Sequence, residues 1–464
     1  MIPYAPALES PTDLAIRERY GLFIGGAWVE PAAGTYAVTE NPATDEAIAL
    51  VARASDADVD RAIRGARRAY DKSWRKLKAS ERAKYLYRIA RALAERTRAF
   101  ALYETLDRGF PIRRARENVA RASAIAFFYA GWADKLAWTV RGHERPRALG
   151  VIGALVSARS PLCEAIEILT PALAAGNTVV LKPSTTSPLV ALALAQLCDD
   201  IDLPPGVLSI VTGDATTGAA IVEHVDCDAL AFVGAPAAGA SVRRVLAGRR
   251  TRLRSSLDGP ALVLVFDDAP LDAAIEAIVA STYRTGSVAA APATLVLVQE
   301  SVVAEVSERV TERLRTLRHG DPLDRNTDVG TFASRPERDR LAAQLDAAVA
   351  GGARLVAAPF DPPPSGAFRA ASLVFDLAPS FDLAGVEGAG PFVALATFRT
   401  PVEALERAAT LGRATTASVW TTTAAQGLFT AQRLRADAVS CNTFGSLDSG
   451  RSGSLAGVRA YLDP

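Results

Sequence analysis

Residues 150–184 read GVIGALVSARSPLCEAIEILTPALAAGNTVVLKPS. Val151–Val156 is a short apolar run, Pro161 opens an apolar stretch that continues to residue 175, and Thr178–Leu181 is a second short run rich in β-branched residues. A strand, a helix and a strand in so few residues form a parallel crossover. The rhythm continues downstream. Val207–Val211 and Ala229–Val233 read as strands, with helical stretches near 188–200, 215–224 and 237–247. This alternation predicts an α/β fold with a parallel sheet covered on both faces.

Upstream, residues 21–52 read as short strands punctuated by Gly25-Gly26 and Pro31. Ser55 with Asp58 three residues later forms a capping-box pattern, and Val59, Ala62, Ile63, Ala66 and Tyr70 follow helical spacing. Helical patterns continue to about Leu136. Downstream, a second alternating block starts at Ala261. Leu262–Phe266 and Thr294–Val298 read as buried strands, with a helix from Leu271 to about Tyr283 between them. Val303, Val306, Val310, Leu314 and Leu317 share one helical face, and Leu373–Phe375, Ala394–Phe398, Ala417–Trp420 and Ala438–Ser440 are further strand candidates. The pattern predicts two α/β domains with a boundary near Gly248–Leu257, and a surface loop at Pro359–Pro364.

The 464 residues carry 52 Lys+Arg against 51 Asp+Glu, a balance without the basic excess of a nucleic-acid or anionic-membrane binder. Hydrophobic content of 49% fills large cores and excludes disorder. No uncharged apolar run reaches the roughly 20 residues a bilayer requires, and the first twenty residues hold prolines and charges where a signal peptide needs apolar residues. A soluble, cytoplasmic protein is expected. Cys163, Cys198, Cys227 and Cys441 are too scattered for a disulfide framework, and with His143, His224 and His319 they form no metal-ligand spacing. Lys182 is the last lysine in an arginine-rich chain, which singles it out as a position where a compact charge is kept.

Open α/β sheets bind ligands beyond the carboxyl ends of their strands. There the chain places Lys182-Pro183-Ser184, the turn Gly213–Gly218, and Gly234-Ala235-Pro236-Ala237-Ala238-Gly239. The GxGxxG fingerprint is absent, but two glycine-bracketed turns opening onto helices can receive phosphate on backbone N–H groups.

Taken in order, YGLFIGGAWVEP, LDRGFPIRRAR, GVIGALV, LTPALAAGNTVVLKPS, PPGVLSIVTG, FVGAPAAG, VFDDAPLDAAIEA, LVLVQES and GPFVALATF make the chain resemble the aldehyde dehydrogenase superfamily over nearly its whole length. The Gly-Ala-Pro turn at 234–236 looks most like the family-sixteen branch, which includes members lacking catalytic residues. The resemblance implies a Rossmann-type dinucleotide-binding domain (1–136 and 150–250), an oligomerisation hairpin (137–149), a catalytic-type α/β domain (251–435) and a C-terminal return (436–464). That return is shortened after Asn442, and Tyr461–Pro464 stop before the family's last oligomerisation strand, leaving an edge strand open for pairing. It also implies NAD or NADP as cofactor. Lys182 would bond the adenosine ribose, with Ser184, Thr185, Gly213 and Gly218 alongside. Gly234, Ala235 and Gly239 would border the pyrophosphate, and Glu387 would hold the nicotinamide ribose. Thr185 replaces a common ribose-binding glutamate, and Ala235 a phosphate-contacting serine.

Aldehyde oxidation in this family uses a cysteine nucleophile, an asparagine oxyanion donor and a glutamate base. The matching segments here are Gly286-Ser287-Val288-Ala289, Ser157-Ala158-Arg159-Ser160-Pro161 and Ser256-Leu257-Asp258-Gly259-Pro260. Ala289, Arg159 and Ser256 therefore stand at the three catalytic positions, and thiol-dependent oxidation is not expected. Cys441, beside the implied substrate tunnel, is a relocated nucleophile or an inert strand cysteine. Cys163, at a helix start after Arg159, is a thiol activated by a cation and a helix dipole or a core residue. Asp258 is a displaced base or a turn aspartate. Arg159 clamps an anion or fills the vacated pocket. Two functions follow: a silent subunit that stabilises or regulates an active partner, such as a paralogous aldehyde dehydrogenase, in a homo- or hetero-oligomer; or an NAD(P)-dependent oxidoreductase with altered chemistry.

Overall fold

The computed structural model describes residues 5–12, 14–136, 147–284, 293–378, 381, 383, 390–443 and 455–463. Two seven-stranded sheets dominate it. The first runs in the order Arg252–Leu257, Ala229–Gly234, Val151–Leu155, Thr178–Lys182, Leu208–Ile210, Leu22–Ile24 and Ala27–Val29. Its first five strands are parallel, and the last two are antiparallel additions. Successive strand residues point to opposite faces, so each strand feeds two cores. Ile152, Val179 and Leu181 pack beneath the helices Ala79–Glu95, Ile112–Trp132, Pro161–Ala175 and Leu189–Asp200, while Val151, Val180 and Leu230 pack with the helix Asp56–Lys72 on the other side. The Asp58 carboxylate accepts from the Ser55 amide (3.0 Å), closing the capping box that the sequence predicts.

The second sheet runs Arg354–Ala357, Ser372–Phe375, Phe392–Phe398, Ala293–Gln299, Ala261–Val265, Ala414–Trp420 and Ala436–Cys441, parallel except for its first pair. Three helices, Arg335–Ala350, Pro401–Ala409 and Ala424–Ala431, escape the sequence reading. They bury few side chains: Leu341, Leu345 and Ala348 of the first, Ala404 and Ala408 of the second, Gly427 and Thr430 of the third. The helix from Leu271 ends at Val279, and a π-helical turn, Ala280–Arg284, follows it.

Two expectations need correction. The stretch taken as a domain boundary is the strand Arg252–Leu257, hydrogen-bonded to Ala229–Gly234; only Asp258–Pro260 separates the two sheets. Its half-buried, arginine-rich sequence RLRSSL hides a strand behind polar residues. The C-terminal return is divided, with Ala436–Cys441 closing the second sheet and Leu462–Asp463 pairing with Arg147–Ala148 beside the first. Of the edge expected to be open, Arg147–Ala148 is thus paired from within the chain. Of the hairpin 137–149, residues 137–146 lie outside the described residues.

Both ends of the chain cross between the two sheets. The Glu9 amide bonds Leu323 O (3.0 Å), and the Glu9 carboxylate, 4% exposed, lies among Arg98, Arg116 and Arg325. At the other end Tyr461 and Leu462 enter the first core, and Asn177 Nδ2 donates to Tyr461 O (2.9 Å).

Gly109 ends the helix Thr97–Arg108 at φ +79°, where an added Cβ would collide with Thr331 Oγ1. Gly109→Ala is expected to lose about 2–4 kcal/mol, from the left-handed backbone and the overpacking together. Urea unfolding of the two proteins measures it.

Candidate functional site

Beyond the carboxyl ends of the first sheet, the loop Ser157–Ser160 faces the Asp258–Pro260 crossing. Arg159 Nη2 lies 2.8 Å from Asp258 Oδ1, and its Nε lies 4.0 Å from Glu164 Oε1. Glu164 accepts from the Ser157 amide (2.8 Å) and hydroxyl (2.9 Å). Burial pushes the Glu164 carboxyl up to about 7; the Arg159 charge pulls it down and Asp258 pushes it further up. Arg159 is therefore paired with an acid of its own chain, and Asp258 is occupied as its partner.

Ser256 stands on the strand Arg252–Leu257, opposite Val233. It lines a cavity of about 260 Å³ together with Glu164, Glu167, Phe232, Arg254 and Gly457. The walls are charged. Glu167 pairs with Arg121 (3.1 Å), and Arg254 lies over the Tyr461 ring at 4.9 Å and donates to Gly457 O (3.4 Å). Glu164, Glu167 and Arg254 escape the sequence reading. The available signal was two carboxylates three residues apart in the helix Pro161–Ala175, which is otherwise apolar but for Thr170.

The structure overturns the activated-thiol reading of Cys163. Its side chain is 2% exposed, donates to Asn118 O (3.2 Å), and burial pushes the thiol well above its ordinary range despite the Arg121 charge. Burial likewise pushes Cys198 and Cys227 up to about 12. Cys441 is exposed at the end of the last strand of the second sheet. Ala289 and Glu387 lie outside the described residues.

On the nucleotide side, Lys182 ends the strand Thr178–Lys182 and donates to Pro183 O (3.0 Å). Burial lowers it to about 8, with Asp214 opposing. Gly218 lies against the lysine stem, where a Cβ would sit 3.7 Å from Lys182 Cδ, an ordinary van der Waals contact. Thr185 Oγ1 donates to Gly213 O (3.1 Å), and Ser184 Oγ lies 3.1 Å from Thr186 Oγ1. Lys182, Thr185, Gly213 and Gly218 are thus brought together. Asp214, which sequence reading passed over, caps the helix Ala215–Glu223 through the Thr216 amide (2.9 Å) and pairs with Arg53 (2.9 Å). The next helix, Pro236–Leu246, differs: its N-cap is Ala235, which has no side-chain acceptor, so its first-turn amides stay uncapped. Gly239 packs so closely that a Cβ would collide with Leu257. A tight turn and an uncapped helix start suit a pyrophosphate.

Among the described residues no group of three or more His, Cys, Asp or Glu is placed to hold a metal ion, and no helix is long and apolar enough to cross a membrane.

The sequence model of the aldehyde dehydrogenase family matches residues 28–460. A chloroplastic aminoaldehyde dehydrogenase of Arabidopsis thaliana is 31% identical over 83% of this chain and 81% of that protein. The chloroplastic betaine aldehyde dehydrogenase of Beta vulgaris is 30% identical over 83% and 81%. Among solved structures, the NAD+ complex of an aldehyde dehydrogenase from Bacillus cereus superposes with a TM-score of 0.91 at 26% identity, covering 99% of this chain and 98% of that one. An NAD-dependent aldehyde dehydrogenase from Sinorhizobium meliloti gives 0.90 at 26% identity, covering 98% and 96%.

Proposed function

The chain belongs to the aldehyde dehydrogenase family, and from that premise we propose that it is a dinucleotide-binding member without thiol chemistry, whose role is to stabilise or regulate a catalytically competent relative. The observation that carries this reading is the Arg159–Asp258 ion pair, set where the family's oxyanion donor and base segments meet. A charged side chain clamped by its own chain closes that place to a carbonyl oxygen. The sequence agrees, since no cysteine lies between Cys227 and Cys441. Mixed assembly tests the role. Co-expressed with a family member holding a complete Cys–Glu–Asn set, the chain should appear in hetero-oligomers by native mass spectrometry. Recovery of homo-oligomers and monomers alone would overturn it.

NAD or NADP fits the residues present: Lys182 and Thr185 beside Gly213 for the ribose, and the uncapped Pro236–Leu246 helix for the pyrophosphate. The dinucleotide supplies redox chemistry when bound; the chain's part is to hold it. Calorimetric titration should give saturable binding, weakened about tenfold or more by Lys182→Met through loss of a charged hydrogen-bond donor. Because burial lowers Lys182 to about 8, affinity should fall as pH rises through that value. Glu164 favours a second reading, an oxidoreductase of altered chemistry. A carboxyl held near neutrality on a 260 Å³ cavity has the pKa of a proton acceptor. Any turnover found should then vanish in Glu164→Gln and survive loss of Cys441.

A further inference from the structure

We propose that the cavity enclosed by Arg108, Arg114, Thr282 and Thr331 binds a small planar oxyanion through its carboxylate-type edge. Its walls come from both sheets' surroundings. Arg108 ends the helix Thr97–Arg108, and Arg114 lies in the first turn of Ile112–Trp132. Thr282 belongs to the π-helical turn Ala280–Arg284, and Thr331 to the segment before Arg335–Ala350. The cavity measures about 60 Å³, several times the roughly 10–15 Å³ that admits one water. It has room for formate, nitrate or bicarbonate.

Four enclosed polar atoms line or approach it and find no hydrogen-bond partner among the described residues: Arg108 Nη1, Arg114 Nε, Thr282 Oγ1 and Thr331 Oγ1. An enclosed donor left unpaired destabilises the fold, the more so when it is charged. Here two of the four are guanidinium N–H groups. Both arginines use the Phe110 ring, with Arg108 Cζ at 4.9 Å from its centroid and Arg114 Cζ at 3.6 Å. Two like charges therefore share one ring.

The surrounding acids compensate them only in part. Glu337 forms a long ion pair with Arg108 (3.9 Å), and Glu104 and Glu117 act on Arg114 through space. Asp328 also lines the cavity, but Oδ1 accepts from Arg113 (2.6 Å) and Oδ2 from the Arg318 amide and Nε (both 3.1 Å). Glu104 is turned to Asn118 Nδ2 (2.9 Å) and the Leu162 amide (3.2 Å). Arg114 makes no ion pair among the described residues, and burial together with the Arg108 charge pulls it down to about 9. Water can satisfy the hydroxyls but supplies no counter-charge to the enclosed Arg114, which has no ion pair among the described residues. A monoanion with two adjacent oxygens accepts from all four donors and cancels one charge. It would also tie the helix pair 97–132 to the loop 328–332.

Thermal unfolding of the full chain tests this, with sodium formate titrated at ionic strength held constant by a bulky sulfonate. The midpoint should rise saturably, and Arg114→Gln should weaken the apparent affinity at least about tenfold. Should Arg114→Gln fail to fold, Thr331→Val, which removes one donor at constant shape, should weaken it several-fold. Butyrate in place of formate separates a free small anion from the carboxylate end of a longer molecule, and a response to either carries the proposal. No saturable shift with either anion, or an equal shift in wild type and the variants, overturns it.

Discussion

Mixed with NAD+ and a simple aldehyde, the purified protein is expected to form no NADH above the buffer blank, and Ala289→Cys alone should not rescue it. The covalent route needs a thiolate, and three of the four thiols are buried with their pKa pushed up, while Cys441 lies exposed on an edge strand of the other sheet. Supplying the thiol leaves two deficits. A missing oxyanion donor costs roughly 10²–10³ in rate, and a missing general base roughly 10²–10⁴. Arg159 adds a third, because its pair with Asp258 must be broken before a substrate oxygen can enter. Recovery should therefore be stepwise. Ala289→Cys with Arg159→Asn should gain the oxyanion factor, and adding Ser256→Glu the base factor. NADH absorbance over hours measures each step. Turnover by the unmodified chain well above the blank would end the silent-subunit reading.

The second large effect concerns pH. Three buried carboxyls, Glu104, Asp107 and Glu164, are each held up to about 7, chiefly by burial. The folded state therefore binds their protons more tightly than the unfolded chain does. Each favours folding fully below its unfolded value near 4, and that contribution is lost as pH rises through about 7. The shifts correspond to about 3–4 kcal/mol apiece, an upper bound for the sum because Glu104 and Asp107 repel one another. His319, held down to about 4 by burial, works the other way, and its contribution is lost as pH falls from 6.5 towards 4. Stability should therefore peak on the mildly acidic side and fall by several kcal/mol from pH 6 to pH 8. Urea unfolding across that range measures it, and Glu104→Gln should flatten the alkaline limb. A flat profile in the parent protein would contradict these burials.

The four strand–helix units from Val151 to Leu246 were legible to within one or two residues because each strand is a short apolar run and each helix starts at a proline, a cap or a glycine turn. The second half was harder. Arg335–Ala350 is built of alanine and charge, and its helicity is fixed by Ser334 accepting from the Glu337 amide (3.4 Å) and by three buried side chains. The strand Arg252–Leu257 shows why composition misleads at a sheet edge: half-exposed residues tolerate arginine and serine while the backbone still pairs. At the site, residue type told what was missing, since alanine and serine cannot replace a thiol and a carboxylate. It could not tell what had moved in. That Arg159 meets Asp258 depends on two segments about a hundred residues apart, and Cys163 faces the core rather than the loop only because of its helix phase.

The two chain ends act as opposed latches. The segment around Glu9 belongs to the start of the chain yet is tied to Leu323 and Arg325, while Tyr461 and Leu462, at the far end, are sunk in the core of the first sheet. Pulling the halves apart would mean peeling both termini, so the two sheets should come undone in one transition. The same latch ties fold closure to the 260 Å³ cavity, because Gly457 lines it and Arg254 of its wall lies over the Tyr461 ring, so loosening the far latch should reshape that cavity before it disturbs the second sheet.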